Sequence, residues 1–320
     1  MSDPLVVAVV GPTAAGKSDL AVALSKHLDG EVVNADAMQV YRGMDIGTAK
    51  ISPTERAGVP HHLLDILDVT ETATVAEFQQ LARTAIDDCI DRQRTPVLAG
   101  GSALYIRAIL DDFVFPGTDP VVRARLEAEL EAHGSGALHS RLRAVDPKAA
   151  EQILPSNGRR IVRALEVVEI TGGPYVATLP EHRYVYPGAV QLGLDVPRPE
   201  LDARIDLRVD RMFDAGFVAE VRGLLDKGLI EGKTANRALG YSQVIALLNG
   251  EIDETQARER TAQATRRFAR RQDSWFRKDQ RITWLPYDAP DLVEKAIQVL
   301  AQGNRRGTGG VVGVESNARG

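Results

Sequence analysis

Cysteine is almost missing from this chain. Cys89 stands alone among 320 residues, so no internal disulfide and no cysteine-rich zinc site can be built. Its place in the helical-looking stretch FQQLARTAIDDCIDR marks it as a small apolar filler. Long apolar runs are missing too; the valine run near the start is far too short to span a bilayer. The opening MSDPLVVAVVGP lacks the basic start and the cleavage site of a signal peptide. A cytoplasmic protein with no membrane attachment is therefore expected. Charge of one sign is not in excess: 39 basic residues face 44 acidic ones, a net of −5. Such a balance does not advertise nucleic-acid binding, although it can hide a local basic face. No internal repeat is present.

Hydrophobic residues make up 44% of the chain and charged residues 26%, which is enough for a globule with a real core, as one large domain or two ordinary ones. Residues 5–10 read as a buried strand, 17–28 as a helix, and EVVNADAMQVY (31–41) begins as a second strand. Residues 74–92 have helical spacing, with Val75, Phe78, Leu81, Ala85 and Ile86 as the apolar stripe. TPVLAGGSALYIRAIL (95–110) repeats the strand, glycine turn and helix of the opening. VQLGLDVPR (190–198) and RITWLP (281–286) supply further strands. This alternation predicts an α/β fold, a parallel sheet with helices on both faces and ligands at the carboxyl ends of its strands. Between Pro116 and Glu181 only helical spacing appears. The expected organisation is a discontinuous core (1–115 and 189–302), an all-helical insertion (116–188) and a disordered glycine-rich tail (303–320).

Residues Gly11, Pro12, Thr13, Ala14, Ala15, Gly16, Lys17 and Ser18 fit G-x-x-x-x-G-K-[ST] between a strand and a helix. Glycines let backbone N–H groups turn toward phosphate oxygens, the helix N-terminus adds partial positive charge, and Lys17 adds a full one. Ser18 can ligate Mg²⁺. The motif specifies a polyphosphate, not which one. Asp36 falls where the second strand should end, beside this loop, and could be a general base, a metal ligand or a cap. Ser102 follows two glycines at the end of the third strand and could face the same crevice or merely cap a helix. Arg204 and Arg208 lie one turn apart in LDARIDLRVDRMFDAGFVAEVRGLL (201–225), read as one helix; they could clamp a leaving group or simply solvate it.

ETQARERTAQATRRFARRQDSWFRKDQR (254–281) carries nine basic residues against four acidic ones. Phe268 and Trp275 share a face and are expected to pack, with Arg267, Arg270 and Arg271 on the adjoining face. In an acidic protein this contrast points to contact with a phosphate backbone. His61 and His62 are adjacent, so on a strand they point apart and cannot jointly hold a metal.

Several segments taken together resemble one family. GPTAAGKS, NADAMQVYRGMDIGTAK (34–50), PHHLLDI (60–66), AGGSALYIRAIL, RRIVRALEV (159–167), RALGYSQV (237–244) and TRRFARRQDSWFR (265–277) occur in the order expected of the bacterial tRNA isopentenyltransferases, or tRNA dimethylallyltransferases. The resemblance covers about residues 5–286 and implies a P-loop kinase-like fold. It implies transfer of a dimethylallyl group from dimethylallyl diphosphate to N6 of adenosine 37 in tRNA, with Mg²⁺. In this sequence it makes 11–18 the diphosphate loop, with Lys17 and an arginine from 204/208 on the leaving group. Asp36 becomes the base, and Ser102, where the family usually has threonine, stands beside the reacting centre. Asp36, Ala37, Met38 and Gln39 would lie against the flipped adenine. Arg123, Arg159, Arg160 and Arg163 match tRNA-contacting positions of an insertion that grips the anticodon stem-loop, and Arg267, Arg270 and Arg271 extend that basic set. Asn157 stands where aspartate is commoner. The family precedent is a monomer with no obligate protein partner. A small-molecule kinase and a non-catalytic RNA-binding module are the competing readings of the phosphate loop and the basic helix.

Overall fold

A computed structural model describes residues 3–175 and 182–306, the latter without the side chains of 303–306. Among the described residues two compact units result: 3–111 with 184–306, and those between 112 and 183.

In the larger unit the elements follow in order. Strand β1 (Val6–Val10) leads through the phosphate loop into helix α1 (Lys17–His27). Strands β2 (Gly30–Asn34) and β3 (His61–His62), helix α2 (Val75–Asp91), strand β4 (Thr95–Gly100) and helix α3 (Ala103–Leu110) follow. The smaller unit holds α4 (Pro120–Val145), α5 (Pro147–Gln152) and α6 (Gly158–Thr171). The larger unit resumes with β5 (Ala189–Asp195), α7 (Arg198–Asp214), α8 (Phe217–Leu225), a short 3₁₀ turn, α9 (Tyr241–Leu248) and α10 (Glu254–Phe276). It closes with β6 (Ile282–Pro286) and α11 (Leu292–Arg306).

The six strands form one parallel sheet in the order β3-β2-β4-β1-β5-β6. β1 is wholly buried, and its alternate residues serve two different cores. Val6, Ala8 and Val10 join one apolar cluster, while Val7 and Val9 join the other on the opposite face. This is why β1 reads as an unbroken apolar run rather than an alternating one. The carboxyl ends of β1, β2 and β4 meet where the phosphate loop, the 34–39 segment and the 100–102 turn leave the sheet, the position at which open parallel sheets bind ligands.

Some local expectations shift. The buried face of α2 is Phe78, Ala82, Ile86 and Cys89, whereas Leu81 is exposed. Phe78 and Ile86 join the main core and Val75 and Ala85 pack against it as expected; Ala82 takes the inward place expected of Leu81. The stretch 201–225 is two helices, α7 and α8, interrupted at Gly216, whose φ is 99°. The last helix runs to Arg306, into the segment expected to be tail; residues 307–320 lie outside the described residues. The helical unit spans 112–183 instead of 116–188. Tyr184 already bridges Asp111 and Val185 donates to the Leu110 carbonyl, so the chain is back in the larger unit before β5 begins.

Within the helical unit, Asp119 Oδ1 accepts the Val121 and Val122 amides at 2.8 and 3.1 Å and starts α4. Gly134, with ψ 168°, interrupts α4. Asn157 Oδ1 accepts the Arg160 amide at 3.3 Å, so it caps α6 as an aspartate would. Leu126, Leu138, Leu142, Ile161 and Leu165 form this unit's own core.

Candidate active site

The phosphate loop bends at Gly16, whose φ of 100° is open to glycine and strained for other residues. The Lys17 Nζ donates to the Pro12 carbonyl at 2.8 Å, and the Arg204 Nε donates to the Ala14 carbonyl at 2.7 Å. The loop borders an open cleft, which Lys17, Ser18, Asp36, Gln39, Arg208 and Phe268 help to line.

Asp36 is held from three sides. Its amide donates to Asn34 Oδ1 at 2.9 Å, the Asn34 Nδ2 returns a bond to the Asp36 carbonyl at 3.1 Å, and Asp36 Oδ1 accepts the Met38 amide at 2.9 Å. Asn34 is buried and also donates to the Leu63 carbonyl at 3.0 Å. The carboxylate therefore sits at a fixed place beyond β2. Ala37 and Met38 pack partly buried against the main core. Gln39 Nε2 donates to the carbonyls of Thr48 and Ala49 at 3.2 and 3.4 Å.

The 45–50 loop is braced from below. Glu220 on α8 accepts the amides of Asp45, Ile46 and Gly47 at 3.0, 2.6 and 3.1 Å and the Tyr241 hydroxyl at 2.7 Å. Lys50, almost fully buried, donates to the Tyr41 carbonyl, Asp45 and Asp65 at 2.7, 2.7 and 2.5 Å. These bonds account for much of the charged and glycine character of MDIGTAK: it shapes the wall of the cleft. Asn34, Glu220 and Gln272 were not singled out in the sequence. Only for Asn34 was there a local signal, its place two residues before Asp36 at the end of β2.

The arginine pair divides. Arg208 lines the cleft, its Nη2 3.5 Å from the Thr48 carbonyl. Arg204 is exposed, holds the loop backbone and lies 5.0 Å over the Tyr287 ring. Ser102 is the residue before α3; its hydroxyl makes no capping hydrogen bond and is half-buried beside Gly101, which does line the cleft.

The electrostatics are lopsided. Burial, then the neighbouring Arg208, pushes Lys17 down to about 8, with Asp36 opposing. Burial likewise lowers Arg208, helped by Arg204 and opposed by Asp36. Burial holds His61 below its ordinary range, so it adds no positive charge near neutral pH. Two cations thus share one carboxylate in a partly dry cleft, a deficit that a polyanion would fill.

The basic helix is sorted by its neighbours. Arg258 pairs with Asp214 and Glu254, Arg266 with Asp206, Arg277 with Asp273 and Asp195, and Arg281 with Asp111 and Asp279. Much of the basic excess is therefore neutralised by acids of α7 and the sheet. Arg267, Arg270 and Arg271 are exposed. Phe276, not Trp275, is the packed aromatic of the C-terminal turn: Trp275 is 46% exposed, and Phe268 is only half-buried at the cleft.

In the helical unit Arg123 and Arg163 are spent on Glu166. This fully buried carboxylate accepts Arg123, Arg163 at 2.8 Å, the Thr118 hydroxyl at 2.5 Å and the Asp119 amide at 3.2 Å. Burial alone would raise its pKa; Thr118 and the two arginines outweigh that and lower it. Arg163 also donates to the carbonyls of Pro116 and Gly117 at 2.6 and 3.0 Å. Both residues therefore have internal acceptors, while their side chains stay partly exposed, at 32% and 25%. Arg159 and Arg160 are exposed on the first turn of α6.

Glu31, His62 and Cys89 cluster at the amino end of the sheet, with ligand atoms within 4.8 Å of one another. Arg92 takes both Glu31 oxygens at 2.6 and 2.9 Å, and burial with the Glu31 charge pushes the Cys89 thiol up to about 11. A guanidinium already fills the place of a cation, and a protonated thiol is a poor ligand. No helix among the described residues is long and apolar enough to cross a membrane.

Comparison with known proteins adds to this geometry. A family model described as IPP transferase matches residues 39–279. A tRNA dimethylallyltransferase of Thermobifida fusca is 63% identical over 302 residues, covering 93% of this chain and 94% of that one. One of Streptomyces avermitilis is 65% identical over 291 residues, covering 91% and 93%. The crystal structure of the full-length tRNA isopentenylpyrophosphate transferase of Bacillus halodurans superposes with a TM-score of 0.71 at 39% identity, covering 95% and 97%. A eukaryotic dimethylallyltransferase acting on tRNA shares the fold, with a TM-score of 0.81 at 24% identity over 97% and 81% of the two chains.

Proposed function

The chain belongs to the IPP transferase family, and from that membership we propose how its cleft carries out the activity of its relatives, the tRNA dimethylallyltransferases. It is a transferase that acts on tRNA, moving a dimethylallyl group from dimethylallyl diphosphate to the exocyclic N6 of adenosine 37. The observation that carries the reading is the pairing of two burial-weakened cations, Lys17 and Arg208, with a single fixed carboxylate, Asp36, in one cleft.

The adenine amino group is a weak nucleophile because its lone pair is delocalised into the ring. As N6 attacks the allylic carbon, an N–C bond forms and the C–O bond to the diphosphate breaks. Positive charge grows on nitrogen and negative charge on the departing diphosphate. Asp36 accepts the N6 proton. Lys17, Arg208 and the phosphate loop hold the leaving group. Asn34 and the Met38 amide keep the base oriented, and Ser102, the neighbour of cleft-lining Gly101, would hydrogen-bond the acceptor. The donor set also suits Mg²⁺: the Ser18 hydroxyl is a hard oxygen ligand beside a diphosphate site and would hold the ion there. Such an ion would neutralise part of the leaving group's charge when bound.

The adenine must leave the anticodon-loop stack, at a cost of a few kcal/mol. Single-stranded loops are where RNA readers normally act. Exposed Arg267, Arg270 and Arg271 on α10, and Arg159 and Arg160 on α6, are the cations available for its backbone. Asp36→Ala tests the reading: turnover should fall about 10²–10⁴-fold while tRNA affinity stays within a few-fold. Near-normal turnover would remove Asp36 as the base.

A further inference from the structure

Gln272 is one of the few buried polar side chains of α10, 6% exposed, and it sits between two parts of the active site. Its Oε1 accepts the Thr13 amide of the phosphate loop at 2.9 Å. Its Nε2 donates to the Gly101 carbonyl at 2.7 Å, in the turn that precedes Ser102. The fit leaves no spare room: a Cβ on Gly101 would lie 2.4 Å from Nε2. The Thr13 amide thus points to α10 rather than into the loop. The same helix presents Arg267, Arg270 and Arg271 to solvent within two turns of this contact.

We infer that Gln272 is a positioning residue through which α10 fixes both the diphosphate loop and the Gly101–Ser102 turn. One amide group satisfies both partners in a buried place, where an unmatched donor or acceptor is costly. The loop amides and Lys17 are held at the geometry the diphosphate needs, and the turn is held against them. A small misplacement at such a site is magnified in rate. The exposed arginines are untouched by this role, so donor and tRNA affinities should respond differently to its loss. This inference rests on the reading that residues 11–18 hold the donor's diphosphate.

The test uses Gln272→Ala and Gln272→Glu; the latter keeps an acceptor for Thr13 but sets a carboxylate oxygen against the Gly101 carbonyl. Thermal melting reports folding, inorganic diphosphate is titrated into tRNA-free protein, tRNA is titrated without donor, and kcat is measured with both substrates. Diphosphate affinity should fall about ten-fold and kcat about 10²-fold, with tRNA affinity within about two-fold of the parent. Should either variant fail to fold, Gly101→Ala, which drives a methyl into the Nε2 position, should give the same signature. Unchanged diphosphate affinity and kcat would overturn the inference, as would a parallel loss of tRNA affinity, which marks a helix-packing role. Lys17→Ala separates the two levels. If it weakens diphosphate binding and the Gln272 variants do not, the inference falls and the reading of the loop stands. If it leaves diphosphate binding intact, the reading of the loop falls, and the inference with it.

Discussion

The Asp36 carboxylate accepts the Met38 amide, and its backbone is held on both sides by the Asn34 side chain. In the sequence Asp36 stands out by its place at the end of a strand beside a phosphate loop, where a base, a metal ligand and a cap are all open to it. Asn34, which fixes it, and Gln272, which ties α10 to the loop, act across 2 and 259 residues of sequence respectively. No periodicity reports the longer of these contacts. Ser102→Ala should lower kcat less than Asp36→Ala, by about ten-fold, because it removes one hydrogen bond to the reacting partners rather than the proton acceptor; steady-state rates at saturating tRNA check this. Glu31 makes a second prediction, on stability. Hydrogen bonds from Arg92, with help from His62, hold its carboxyl down to about 2 against the upward push of burial. A depressed carboxyl contributes stability above its ordinary pKa of 4.5 and loses it as pH falls toward 2. Glu31→Gln should therefore cost about 1–3 kcal/mol near neutral pH, solvent screening of half-exposed Arg92 setting the lower end. The gap between variant and parent in thermal melts should close between pH 4.5 and 2; a gap independent of pH would contradict the assignment.

Elements were legible where their period was strong. The strand-loop-helix opening, α2, the helical insertion and α10 all follow the sequence to within a few residues, because apolar spacing and caps act locally. The failures have local causes as well. A single glycine, Gly216, divides α7 from α8 inside a continuous helical pattern. Charge counting on α10 missed its partners, since the neutralising acids Asp206 and Asp214 belong to α7. The RRIVR segment of α6 shows the same limit: spacing cannot tell Arg163, bound to buried Glu166, from exposed Arg159 and Arg160. The difference is measurable. Arg159→Ala and Arg160→Ala should each weaken tRNA binding and reduce the salt slope by about one, without lowering the melting temperature. Arg163→Ala should destabilise the helical unit by about 1–2 kcal/mol, because buried Glu166 keeps Arg123 and Thr118 but loses one charged partner, and the Pro116 and Gly117 carbonyls lose their donor. Glu220→Ala belongs at this scale too. Three loop amides and the Tyr241 hydroxyl lose their acceptor, so kcat should drop about 10–100-fold with the phosphate loop's own bonds unaltered. Diphosphate titration alongside turnover separates these two effects.

At the scale of the whole molecule, fold class was readable because a parallel sheet buried on both faces demands unbroken apolar strands, and β1 supplies one. The phosphate loop then fixed where the site lies, but left the anion's identity open. The identity proposed for it rests on the family and on residues far apart in sequence that line one cleft: Lys17, Asp36, Arg208 and Gln272. The central claim is that the anion is the leaving group of a prenyl donor rather than a phosphoryl donor. One reaction decides it: unmodified tRNA, the protein, dimethylallyl diphosphate and γ-labelled ATP together with Mg²⁺, with the nucleosides then read by mass spectrometry. The account predicts one dimethylallyl group gained on a single adenosine per tRNA, with diphosphate released and no label transferred. Unchanged adenosine with label passed from ATP to any acceptor would contradict it.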